Sequence, residues 1–266
     1  MVSIDKEKCI GCGACVEDCF PENLFLENGK AEIKGRCMQC GHCIAVCPVN
    51  AVFITNYPKE GIEEYNKEEF NISPKRLLNF IKFRRSVRHY KNKPVEKEKL
   101  EKVIEAGRYT ATGSNMQDVS YIVIQETLEK IKPIIWESLY EFALENLNEK
   151  GVIGAYAPRW IKMYEDYKKD PEKDTLFFKA PVLLVVTALS PLNGGLASSN
   201  IELMANAEGL GVLFTGFIER AIKNSKEAKK ILGIDKKEVI SCMLMGYPDI
   251  KFRRTVPRKQ AEISWK

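Results

Sequence analysis

The sequence predicts an α+β chain in two domains: a small cysteine-rich domain, then an α+β sandwich with a central antiparallel or mixed sheet. Three observations carry this. Eight of the nine cysteines fall within the first 47 residues. From Pro58 to Ser73 the chain turns polar and acidic with no strong apolar period, which marks a linker. Beyond Pro74, helical apolar periods and β-branched runs intermingle, with no internal repeat of roughly 20–50 residues. The expected domains are therefore residues 1–57 and 74–266, joined by a linker at 58–73.

The cysteines come in two copies of one spacing, Cys9-x2-Cys12-x2-Cys15-x3-Cys19 and Cys37-x2-Cys40-x2-Cys43-x3-Cys47, with Pro21 and Pro48 close behind. A cubane iron–sulfur cluster needs four thiolates converging from different directions. Gly11, Gly13 and Gly41 let backbone amides approach the sulfurs. Three cysteines at intervals of three cap one cube, and the fourth, about a helical turn later, points away. The spacing resembles the bacterial two-cluster ferredoxins, in which the fourth Cys of each run ligates the other cluster. This assigns one 4Fe–4S cluster to Cys9, Cys12, Cys15 and Cys47, and the other to Cys37, Cys40, Cys43 and Cys19. Structural zinc also uses CxxC pairs, but a four-ligand ion leaves the doubled triplets unexplained. A disulfide framework is the other alternative. Against it, no secretory signal precedes Cys9 and a single Cys follows residue 47.

Length and charge narrow the class. With 266 residues and 45% hydrophobic content, the chain can bury a large core. No apolar run reaches the ~18 residues of a membrane span, and the cluster motif begins nine residues in. These features predict a soluble, cytoplasmic protein of a reducing compartment, in an organism that avoids oxygen. Residues 1–58 carry a net charge of −2 and the remainder +7. A basic second domain suits a phosphate-bearing cofactor. Its basic residues mostly interleave with acids, the pattern of a solvated face, so nucleic-acid binding is not expected.

Taken in order, short strands are expected near Ala31–Ile33 and Val52–Ile54. Ser73-Pro74 starts a helix, Ser73 as N-cap and Pro74 at the first helical position. Val95–Tyr109 has helical period through Leu100, Val103 and Ile104, and Val119–Gln125 reads as a strand. Residues 127–148 and 156–168 read as aromatic-rich amphipathic helices, and Val182–Leu189 as a strongly apolar strand. Leu196–Leu210 reads as a long helix, Val212–Thr215 as strand, Glu219–Leu232 as helix and Val239–Met245 as strand.

Within this frame, residues 84–90 read Arg84-Arg85-Ser86-Val87-Arg88-His89-Tyr90. If extended, Arg84, Ser86 and Arg88 share a face and present two guanidinium forks and a hydroxyl, a set suited to a phosphate and a polyhydroxyl chain. Alone, the segment reads more readily as a solvated basic linker after a helix. It is followed by Ala111-Thr112-Gly113-Ser114-Asn115-Met116-Gln117, then Gly209-Leu210-Gly211-Val212-Leu213-Phe214-Thr215-Gly216, then Gly246-Tyr247-Pro248 and the basic stretch Lys251 to Arg258. As an ordered set these resemble the nitroreductase family of FMN enzymes over about residues 76–266. The whole chain resembles a ferredoxin–nitroreductase fusion.

That resemblance implies a homodimer with two FMN sites. Arg84, Ser86 and Arg88 would grip the ribityl chain and phosphate. Asn115 and Gln117 would serve the flavin of the partner subunit. Thr215 and Gly216 form the turn whose backbone amide reaches flavin N5, and either Arg254 or Arg258 would add a late contact to the phosphate. The family's usual proline is absent from the loop at 112, and no lysine is matched to the pyrimidine side. Since the flavin carries the chemistry, no catalytic side chain is expected. His42 is expected to pack near a cluster, His89 to pack on the face opposite Arg88, and Cys242 to be a buried inert thiol. The aromatics of residues 127–168 are core, or else roof the flavin.

The function expected is an FMN-dependent oxidoreductase passing electrons between the clusters, FMN and a small acceptor such as a nitroaromatic or quinone. Reduced ferredoxin or NAD(P)H would be the donor. The alternative is a non-catalytic flavin and iron–sulfur carrier, or a redox sensor, for a protein partner.

Overall fold

The computed structural model describes residues 1–58 and 61–266, so positions 59 and 60 of the expected linker lie outside the described residues. The chain divides into two compact units. One is Met1–Ile72 together with Thr112–Gln117; the other is Ser73–Ala111 together with Asp118–Lys266.

In chain order the first unit holds β1 (Val2–Ile4), α1 (Ala14–Glu17), β2 (Leu24–Glu27), β3 (Lys30–Ile33), α2 (His42–Ala45), β4 (Val52–Ile54) and α3 (Lys67–Phe70). The expected strands are β3 and β4. Each has a partner not foreseen: β4 pairs antiparallel with β1, and β3 with β2. The one-turn helices α1 and α2 follow left-handed glycines, Gly13 and Gly41. Within the expected linker, Asn66 starts α3 by accepting the Glu68 N–H at 3.0 Å.

The second unit holds α4 (Pro74–Phe83), α5 (Lys97–Arg108), β5 (Ser120–Ile124), α6 (Leu128–Glu145), α7 (Val152–Lys169), β6 (Val182–Ala188), α8 (Pro191–Ala207), β7 (Gly211–Phe214), α9 (Gly216–Asn224), α10 (Lys226–Ile231) and β8 (Glu238–Gly246). A 3-10 turn at Gly113–Asn115 belongs to the first unit. The four strands form one sheet in the order β5-β6-β8-β7, antiparallel throughout.

All seven residues of β6 are buried, because alternate side chains enter two different cores. Leu183 and Val185 pack in a core with Trp136, Trp160 and Ile218 of α6, α7 and α9. Val182, Leu184 and Val186 pack in a second core with Leu100, Val103 and Ile201 of α5 and α8. The sheet is thus a middle layer between two helical ones. Each fully buried Leu or Ile there contributes roughly 1.5–3 kcal/mol.

Three helices differ from expectation. Helix α7 starts at Val152 rather than residue 156. Helix α8 starts at Pro191 rather than Leu196, since Ser190-Pro191 supplies the cap position and a proline at the first turn. The expected helix 219–232 is two helices. Ser225 leaves helical geometry and its hydroxyl accepts the Ala228 N–H, so α10 restarts there.

Candidate functional site

In the first unit the structure brings the eight cysteines into two groups. One cavity is lined by Cys9, Cys12, Cys15 and Cys47, and a second by Cys19, Cys37, Cys40 and Cys43. These are the crossed quartets, each taking its fourth member from the other sequence repeat. Backbone amides point at the sulfurs: Ala31 N–H at Cys9, Asn23 at Cys19, Gln39 at Cys37 and Ala51 at Cys47, with N···S distances of 3.2–3.4 Å. The amides of Ala31 and Gly11 hold the Cys9 thiol below its ordinary pKa. Burial pushes Cys15 up, and Cys43 up to about 11. Four cysteines around each cavity, with backbone amides aimed at their sulfurs, make a donor set that fits two four-thiolate clusters.

His42 lines the second cavity, but its ring is largely exposed, with Nδ1 3.2 Å from the Asp18 carboxylate. The loop Thr112–Gln117 also belongs to this unit. The Asn115 side-chain amide donates to the carbonyls of Met38 and Gln39, at 3.1 and 2.8 Å. Gln117 Nε2 donates to the Tyr57 hydroxyl at 2.7 Å.

In the second unit, the segment after α4 runs extended along the edge of β7. Ser86 bridges Val212 in parallel, and the Val87 N–H donates to the Val212 carbonyl at 3.0 Å. Gly211 permits this approach: a Cβ there would lie 2.6 Å from Val87 Cγ2. Alternation follows, with Val87 buried and Ser86 and Arg88 exposed. His89 is exposed rather than packed; its carbonyl accepts the Asp249 N–H, which leaves the ring outside.

Arg84 is engaged by a carboxylate of its own chain, 2.6 Å from Glu202 of α8. Burial raises the Glu202 pKa, and Arg84 opposes that rise. Arg85 turns inward: its Nη1 donates to the carbonyls of Lys82 and Arg84, while Nε and Nη2 are buried and have no hydrogen-bond partner among the described residues. Closed to solvent, those two nitrogens are equally closed to a ligand.

Strand β7 leads directly into the other predicted element. The Thr215 N–H donates to the Cys242 carbonyl at 2.9 Å, and its hydroxyl caps α9 through the Ile218 N–H. The Gly216 N–H, in the first turn, has no intrahelical acceptor, and the space beside its Cα is open. Ser86, Thr215 and Gly216 therefore share one sheet edge. Arg254 and Arg258 lie exposed in the irregular C-terminal segment, and among the described residues no hydrogen bond or ion pair joins them to the Arg84–Arg88 segment.

Trp136 and Trp160 are fully buried core, stacked on Tyr167 and Tyr156 respectively. Cys242 is buried in β8, and burial pushes its thiol pKa far up. Among the described residues no helix is long and apolar enough to cross a membrane.

The architecture defines a class: an α+β domain with a basic segment on its sheet edge, following a domain with two four-cysteine groups. Comparison with known proteins makes this specific. Residues 81–247 match the nitroreductase family and residues 1–48 the 4Fe-4S dicluster domain. The chain belongs to the nitroreductase family, with a dicluster domain ahead of it. It is 28% identical over 152 residues to an NADPH-dependent oxidoreductase of Staphylococcus aureus (strain USA300), a match covering 57% of each chain. The chain thus spans just over half the length of the curated relatives it matches. The fold is shared with a nitroreductase with bound FMN from Bacteroides fragilis NCTC 9343, at TM-score 0.54 and 18% identity, covering 71% of this chain and 98% of that one. It is also shared with one from Desulfitobacterium hafniense DCB-2, at TM-score 0.51 and 22% identity, covering 70% and 97%.

Proposed function

We propose that this chain is an FMN-dependent oxidoreductase that passes electrons between two 4Fe–4S clusters, FMN and a small nitroaromatic- or quinone-like acceptor. The observation that carries the reading is the sheet edge where exposed Ser86 and Arg88 run beside the strand that ends in Thr215 and Gly216. Bound there, FMN supplies hydride or single-electron transfer; each cluster supplies one electron at a time.

The chain's own residues do the rest. Arg88 would hold the phosphate and Ser86 the ribityl chain. Arg84 contributes the part of its guanidinium that Glu202 leaves free. The Gly216 N–H would donate to the flavin ring, and the open space beside it lets the ring approach. Arg254 or Arg258 would reach the phosphate from the tail. Cys9, Cys12, Cys15 and Cys47 would hold one cluster, and Cys19, Cys37, Cys40 and Cys43 the other. The S. aureus relative favours NADPH as donor, and the dicluster domain leaves reduced ferredoxin as a second route in. A homodimer is supported by α4, whose Leu77, Leu78, Phe80, Ile81 and Phe83 are all at least 36% exposed, an apolar surface this chain does not cover.

The test is anaerobic purification with iron and flavin extraction. Wild type should carry eight irons and one FMN per chain. The double variant Arg84→Ala/Arg88→Ala should lose FMN and keep its iron; full flavin retention would refute the cradle. NADPH or reduced ferredoxin should then drive reduction of a nitroarene or quinone. A reduced flavin inert to such acceptors would instead make the protein an electron carrier.

A further inference from the structure

We propose that Asn115 is a positioning residue for the second cluster site, that of Cys19, Cys37, Cys40 and Cys43, and raises the reduction potential there. The proposal rests on the reading that the eight cysteines hold two 4Fe–4S clusters.

The two cysteine loops are repeats, and Gln39 stands where the first loop has Gly11. Both positions are left-handed, Gly11 at φ +69 and Gln39 at φ +56. Glycine adopts that conformation freely, whereas a residue with a side chain avoids it. Something must therefore hold Gln39 in place, and the contacts show what does. The carbonyls of Met38 and Gln39 belong to the two peptide planes flanking the Gln39 Cα. Asn115 Nδ2 donates to both, at 3.1 and 2.8 Å, which fixes both backbone torsions of Gln39. Two carbonyl acceptors admit only the donor end of the amide, so its orientation is settled. The first loop has a different tie: Lys30 Nζ donates to the Cys9 carbonyl at 2.6 Å.

The same peptide plane reaches the cluster site. Opposite the Met38 carbonyl lies the Gln39 N–H, which donates to Cys37 Sγ at 3.2 Å. Holding the carbonyl aims the N–H at the sulfur. Hydrogen bonds to cluster sulfurs stabilise the more negative, reduced state and so raise the potential. Asn115 itself is anchored, since its loop is closed by the Gln117 N–H to Thr112 Oγ1 at 3.0 Å and by Gln117 to Tyr57. A segment distant in sequence thus makes the two sites inequivalent.

The test is a potentiometric titration followed by electron paramagnetic resonance on anaerobic full-length holoprotein. Its variants are Asn115→Ala and the near-isosteric Asn115→Asp, which cannot donate to carbonyls. One cluster couple should fall, by about the tenfold worth of one hydrogen bond to a charged acceptor, ~59 mV for a one-electron couple. The other should stay. The couple that moves should be the one altered by Cys40→Ser and not by Cys12→Ser. Tyr57→Phe, which loosens the same loop without touching Asn115's acceptors, should move that couple by clearly less than Asn115→Ala does. Unchanged couples in an eight-iron Asn115 variant, both couples moving together, or an equal shift in Tyr57→Phe would each overturn the proposal. So would a loss of FMN alone. Fewer than eight irons in wild type would instead refute the cluster reading beneath it.

Discussion

Replacing Gly11 by Ala would insert one carbon where the first cysteine loop meets the β2–β3 turn. The new Cβ would lie 2.1 Å from the Gly29 carbonyl oxygen and 2.8 Å from its carbon. A carbon–oxygen contact settles at about 3.3 Å, so one backbone must move by roughly 1.2 Å. The hairpin beyond Gly29 carries two supports of the site, Ala31 N–H to Cys9 Sγ and Lys30 Nζ to the Cys9 carbonyl, and displacing it breaks both. The left-handed conformation adds ~1–2 kcal/mol for a residue with a Cβ, and forcing packed backbone apart roughly 1–3 kcal/mol more. Together, about 2–5 kcal/mol disfavours loop closure by some thirtyfold to a few thousandfold. Gly13→Ala and Gly41→Ala are the controls. Both positions are left-handed, at φ +81 and +78, yet an added Cβ meets only Leu26 at 3.7 Å or nothing. Iron and acid-labile sulfide analysis, with paramagnetic resonance of the reduced protein, should show Gly11→Ala losing one cluster while both controls keep eight irons. Wild-type iron in Gly11→Ala, or equal losses in all three, would refute the steric reasoning.

Two further outcomes are expected. Arg88→Met should weaken FMN binding at least tenfold, read by flavin fluorescence on dilution, with iron retained, because it removes the exposed guanidinium beside Ser86 on the sheet edge. Asp118 accepts from the Leu189 and Ser190 amides and from Asn193 at 2.6–2.9 Å. Burial pulls its pKa up, but these donors outweigh burial and hold it below the ordinary 3.8. A depressed folded pKa gives stability that is present above 3.8 and lost as pH falls through the folded value. Asp118→Ala should therefore cost about 2–3 kcal/mol at pH 7, followed by urea unfolding and tryptophan fluorescence. The gap to wild type should narrow below pH 3.8; a constant gap would show that the carboxylate charge is not involved.

The features legible in sequence were those with strong local chemistry. The doubled cysteine motif, the apolar β6 and β8 and the period of α5 all needed only spacing or alternation. Strand β1 escaped because its partner β4 lies about 50 residues on, a pairing no local pattern signals. The start of α8 escaped because Gly194 and Gly195 read as breakers. Gly194 is kept by packing, since a Cβ there would strike Ile240 at 2.6 Å. Asn115 and Gln117 were chosen for the flavin by resemblance. The structure sets their side chains on Met38, Gln39 and Tyr57, contacts 60–77 positions away that no local pattern signals.

The strand order β5-β6-β8-β7 has a consequence for synthesis. Strand β8 joins β6 to β7 yet is the last to leave the ribosome, ending at Gly246. The final cluster cysteine, Cys47, emerges about 200 residues earlier, on the order of 10–40 s at typical translation rates. The cysteine loops can therefore collect iron while the sheet that frames the basic cradle cannot yet close. Assembly would run in the same direction as the chain, metal first and flavin last.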